Sequence, residues 1–135
     1  MKKIIFTKNA PSPIGAYNQA VLSGNILYTS GQIAINPNTG ELINGSIKEE
    51  TQLVMENLKA VLKEAGMTFE NVLKSTIFIS NMNNFTEINR IGFAFNDALI
   101  NSKQFLDSEL FFTTDDLIEN QETYSTNFKF IIDLI

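Results

Sequence analysis

The 135-residue sequence predicts a single α+β domain, a mixed sheet with two helices packed on one of its faces. Three observations lead to that class. Short β-prone runs are separated by turn residues, two longer stretches carry apolar residues at helical spacing, and the segments follow the order β-ββ-α-β-α-β-β. No repeat, low-complexity tract or second domain interrupts the chain.

Taken in order, Ile4 to Thr7 reads as a short first strand and Asn9 to Pro13 as a loop broken by two prolines. Gln19 to Leu22 and Ile26 to Ser30 form a hairpin across Ser23-Gly24-Asn25. Asn36-Pro37-Asn38-Thr39-Gly40 is a turn, because proline presets φ and glycine accepts positive φ. Ile47 to Ala65 is the clearest element. Ser46 with Glu49 makes a capping box, Val54, Leu58, Val61, Leu62 and Ala65 share one face, and Gly66 stands where a left-handed residue closes a helix. Leu73 to Ser80 is a strand with Leu73, Ser75, Ile77 and Ile79 on one side. Asn81 to Asn84 then leads into a second helix from Phe85 to about Leu99, striped by Phe85, Ile88, Ile91 or Gly92, Phe95 and Leu99. Glu109 to Thr114 and the alternating Asn127 to Ile135 complete the strands.

Composition narrows the function. Apolar residues make up 44% and charged residues 19%, the balance of an ordinary water-soluble domain. The chain has no cysteine and no histidine, which excludes disulfides, thiolate nucleophiles, Ser-His pairs and imidazole metal sites. No apolar run reaches the roughly 20 residues of a membrane span, and Ile4-Ile5-Phe6 is too short for a secretory core, so a soluble cytoplasmic protein is expected. Net charge is −5 and unevenly spread: residues 1–90 net +1, residues 91–135 net −6. Without a basic stripe the chain is a poor partner for nucleic acid.

Chemistry concentrates in two neighbouring phrases, Pro13-Ile14-Gly15-Ala16-Tyr17-Asn18-Gln19-Ala20 and Leu27-Tyr28-Thr29-Ser30-Gly31-Gln32-Ile33. Tyr17 sets a polar group on an apolar ring, while the Ser30 hydroxyl and the Gly31 amide suit a carbonyl or anionic group. The alternative is a core tyrosine and an ordinary serine at a strand end.

The same phrases, with Val54-Met55-Glu56-Asn57-Leu58-Lys59 and Phe85-x-x-Ile88-Asn89, resemble the RidA/YjgF family of enamine/imine deaminases in order and spacing, over about residues 3–89. The resemblance implies a chorismate-mutase-like fold, a homotrimer with ligand clefts between subunits, and hydrolysis of 2-aminoacrylate and related imines to 2-ketoacid and ammonia without cofactor or metal. By position, Tyr17, Ser30, Gly31 and Asn89 correspond to residues lining that cleft. A small 2-imino or 2-keto acid is the implied ligand, and neither nucleic acid nor membrane is an implied partner. The family is sometimes labelled endoribonuclease, a reading that the acidic balance and the lack of histidine oppose.

Beyond Asn89 the sequence departs from the family. The arginine of the family's Pro-Ala-Arg phrase, whose planar fork grips the substrate carboxylate, is missing: Arg90 is the only arginine, and Pro11, Pro13 and Pro37 are the only prolines. Lys103 reads as a solvated lysine rather than a replacement. The family's last-strand glutamate has no secure counterpart either, with Asp133 in one register and Lys129 in the other. Asp115-Asp116 and Glu119-Glu122 read as solvated acids. So abrupt an end points to a replaced tail, by frameshift or recombination. If no alternative frame past codon 90 encodes a Pro-Ala-Arg phrase, the frameshift is ruled out.

Overall fold

The computed structural model describes residues 1–95 and 130–134. Three antiparallel strands come first: β1 (Lys2–Ile5), β2 (Ala20–Ser23) and β3 (Ile26–Thr29), in spatial order β1-β2-β3. Gly24, at φ +63°, turns β2 into β3. The register places Ile5, Ala20 and Leu27 on the buried side, while Ile4, Val21 and Tyr28 lie opposite one another on the outward side. The first strand begins and ends two residues earlier than its apolar pattern suggests. Thr7 leaves the ladder because its N–H and C=O bond to the Gln19 side chain instead.

Helix α1 (Ile47–Glu64) forms where expected. Ser46 Oγ accepts from the Glu49 N–H at 3.2 Å, and Glu49 Oε2 accepts from the Ser46 N–H at 2.9 Å, closing the capping box. A Cβ on Gly45 would come against the Glu49 carboxylate, whose flexible end would have to shift. Ala65 caps the far end, and Gly66 follows at φ +74°. Val54, Leu58, Val61 and Leu62 are buried against Ile5, Ala20 and Leu27, so α1 covers the inner side of the first sheet.

A short 3-10 turn, Phe69–Asn71, precedes β4 (Ser75–Ile79). The strand is shorter than its alternation predicts. Leu73, expected in the strand on the side of Ser75, Ile77 and Ile79, lies before it and is 65% exposed. A second 3-10 turn, Met82–Asn84, capped by Asn81, runs into α2 (Phe85–Phe95). α2 buries Ile88 and Ile91, packs on α1, and sets Phe95 edge-on to Phe69 with ring centres 6.4 Å apart. Strand β5 (Phe130–Leu134) pairs antiparallel with β4, Ser75 opposite Leu134 and Ile79 opposite Phe130, and comes alongside β3. The α+β class holds, with antiparallel ladders among the described residues. The expected continuation of α2 to Leu99 and the strand at Glu109–Thr114 lie outside the described residues. No helix among those described is long and apolar enough to cross a membrane.

Candidate functional site

The segment from Ser12 to Asn18 bulges between β1 and β2 with almost no burial of its own. Its internal bonds are few: Tyr17 N–H donates to the Gly15 carbonyl at 2.9 Å, and Ile14 N–H donates to the Tyr17 phenol at 3.3 Å. Gly15 lies against the tyrosine ring, where an added Cβ would make ordinary contact at 3.6 Å. Tyr17 is 46% exposed, so it is not a core ring.

Ser30 follows the end of β3, where the hairpin register sets it opposite Gln19. Its N–H donates to the Gln19 carbonyl at 2.9 Å and its hydroxyl donates to the Asn18 carbonyl at 2.6 Å. The serine is therefore bonded to the residue next to Tyr17, and Gly31 continues from it on the exposed surface. The fourth expected residue, Asn89, is half-buried on α2 beside buried Ile88. Among the described residues no hydrogen bond joins it to Tyr17 or Ser30; Ser30 is tied to Asn18 and Gln19, next in the chain to Tyr17.

Hydrogen-bond polarity sets what this corner can do. The Ser30 proton is committed to Asn18, which leaves the hydroxyl lone pairs as acceptors. The Tyr17 oxygen already accepts from Ile14, which leaves its proton to donate. The Gly31 N–H meets no acceptor among the described residues. The Tyr17 proton and the Gly31 N–H are thus left as donors and the Ser30 oxygen as an acceptor.

Two buried amides that sequence reasoning missed hold the segments on either side. Gln19, 1% exposed, accepts from the Thr7 N–H at 2.7 Å and donates to the carbonyls of Thr7, Ala10 and Pro11 at 2.9, 3.2 and 2.8 Å. Asn57 on α1 donates to the carbonyls of Ile33 and Ile35 at 3.3 and 3.0 Å, fixing the chain just past Gly31. Neither bond set shows in the sequence, because the partners lie 8 to 24 residues away in the chain.

Arg90, the only arginine, is exposed and bidentate to Glu87, with Nη2–Oε1 at 2.7 Å and Nε–Oε2 at 3.1 Å. The Arg90 bond holds the Glu87 carboxyl below its ordinary range, and Glu87 in turn raises the guanidinium. Lys103, Lys129 and the acids from Asp115 to Glu122 lie outside the described residues. Asp133 sits in β5 opposite Thr76. Among the described residues no group of three acids could hold a metal ion.

A family described as Endoribonuclease L-PSP matches residues 7–102, past the Asn89 limit of the phrase-by-phrase resemblance. Similar proteins include a RutC family protein of Pyrococcus horikoshii, 48% identical over 91 residues, or 67% of this chain and 72% of the relative. The 2-iminobutanoate/2-iminopropanoate deaminase of Rattus norvegicus is 43% identical over 91 residues, 67% of this chain and 66% of that protein. The crystal structure of E. coli TdcF with bound serine matches with a TM-score of 0.80 at 30% identity, covering 98% of this chain and 95% of that one. The two helices over short antiparallel sheets and these matches agree: the chain belongs to the RidA/YjgF family, the group also described as Endoribonuclease L-PSP.

Proposed function

We propose that this protein hydrolyses small reactive enamines and imines, 2-aminoacrylate and 2-imino acids of similar size, to 2-ketoacid and ammonia. The observation that carries the reading is the polarity of the Tyr17–Ser30–Gly31 corner, with the rat relative's name supplying the substrate class. The imine carbon is already electrophilic. Water adds to it, the C–N bond breaks, and the oxygen from water becomes the ketone as ammonia leaves. The protein's share is to orient the substrate and manage a proton. The Tyr17 proton and the Gly31 N–H serve the carboxylate, the Ser30 lone pairs accept from the imine N–H, and Asn89 is assigned to the same cleft from the opposite helix. The reaction calls for no cofactor.

Assembly belongs to the same proposal. The outward face of the first sheet carries Ile4 at 62% and Tyr28 at 48% exposure, with Phe6 and Ile26 beside them. An apolar face of that kind favours a partner subunit. A homotrimer closes the cleft between neighbouring copies, and a native mass of three chains checks it.

A second reading is a trimeric binding or regulatory module without turnover. One observation favours it: the sole arginine is already paired with Glu87 on the protein surface, so no guanidinium among the described residues is free to grip a carboxylate. The deciding assay follows ketoacid release from freshly generated 2-aminoacrylate. A rate above buffer supports the deaminase. A buffer rate together with a melting temperature raised by 2-oxobutanoate supports the binding module.

A further inference from the structure

We infer that Gln19 is the positioning residue of this site, a buried clamp that sets the Tyr17 phenol against Ser30. The role rests on the reading of Tyr17 and Ser30 as ligand contacts. The segment from Ser12 to Asn18 buries almost nothing, and the bonds within it fix only its own curl. Where that curl stands relative to β3 must therefore be decided at its two ends, and both ends meet at one residue. The Gln19 carboxamide bonds Thr7, Ala10 and Pro11, the chain leading into the segment. The Gln19 backbone carbonyl takes the Ser30 N–H, while the adjoining Asn18 carbonyl takes the Ser30 hydroxyl, at the chain leading out.

Three carbonyls and one N–H around a single carboxamide admit few substitutes. Glutamate offers no N–H to the carbonyls of Thr7, Ala10 and Pro11. Methionine matches the volume and bonds none of them. Asparagine keeps the amide but is one methylene short. Each leaves buried polar groups unmatched next to the segment rather than in the centre of the core. Gln19 itself is 1% exposed and touches no ligand, so its effect on binding passes entirely through Tyr17 and Ser30.

The test uses the full chain labelled with 3-fluorotyrosine. There are three tyrosines, Tyr17, Tyr28 and Tyr124, and Tyr17→Phe and Tyr28→Phe identify the first two resonances. In Gln19→Met the Tyr17 fluorine signal is expected to move or broaden while the Tyr28 signal stays in place. The affinity for 2-oxobutanoate is expected to fall about tenfold, the effect of one well-placed hydrogen bond lost. Gln19→Asn should recover part of both. An unchanged Tyr17 signal in both variants overturns the proposal. So does collapse of the Tyr28 signal in both, which would make Gln19 a support of the whole fold. If 2-oxobutanoate leaves the unsubstituted Tyr17 signal unmoved, the ligand reading fails, and the proposal, which rests on it, falls too. A wild-type response with unchanged variants instead overturns the clamp and leaves the ligand reading intact.

Discussion

Helix α1 and the segment from Ser12 to Asn18 are held in place by opposite means. The helix carries its own instructions: a reciprocal cap at Ser46 and Glu49, an apolar face from Val54 to Leu62, and a left-handed glycine past its end. The segment that bears Tyr17 has two internal bonds and lies mostly in solvent, and it borrows its position from Gln19. Stability therefore concentrates in the helix, and the proposed recognition in the segment that contributes little to stability. Substitutions that separate the two quantities test that division.

The largest effect is expected at the helical end. Leu58 is fully buried at the centre of the cluster shared by α1 and the first sheet. Leu58→Ala removes that packing and leaves a cavity, at an expected cost of about 3 kcal/mol in urea unfolding. A cost below about 1 kcal/mol would mean that the site collapses freely and that the core is centred elsewhere.

A smaller effect is expected at the cap. Ser46→Ala should cost about 1 kcal/mol. It should also change the pH dependence. The Ser46 N–H and hydroxyl hold the Glu49 carboxyl below its ordinary value. A carboxyl depressed in the folded state adds stability above its unfolded pKa and loses it as pH falls through the folded one. The unsubstituted protein should therefore lose part of its stability on acidification below about pH 4, and Ser46→Ala should lose less of it. Parallel acid titrations of the two unfolding midpoints would contradict this account of the cap.

The contrast also explains what the sequence disclosed. Helix α1 was legible because cap, stripe and terminator all lie within its own residues, from Ser46 to Gly66. The hairpin was legible because Gly24 sits between two apolar runs. Strand ends were less so: Leu73 continues the alternation of β4 but stands outside it, since alternation says which face a residue takes and not where pairing stops. Thr7 looked like strand because nothing nearby announces that a glutamine twelve residues on will take both its backbone groups. At the candidate site, Tyr17, Ser30 and Gly31 were picked out by their clustering and by the family resemblance. Gln19 and Asn57 did not, because their bonds run to segments 8 to 24 residues away in the chain. Long-range amide bonds leave no periodic trace.

The smallest change in stability is expected at Tyr17, where the two regions differ most. Tyr17→Phe removes one hydroxyl from an exposed ring, and the Ile14 N–H that it accepted turns to water. Unfolding free energy should stay within about 0.5 kcal/mol of the unsubstituted protein. Affinity for 2-oxobutanoate, read from the concentration dependence of its thermal shift, should fall about three- to tenfold, since the proposed function makes the phenol a donor to the ligand. The two numbers have to come from the same preparation, since their ratio carries the argument. A stability loss as large as that of Ser46→Ala, with affinity unchanged, would make Tyr17 a packing residue and return the corner to the plain alternative of a tyrosine and a strand-end serine.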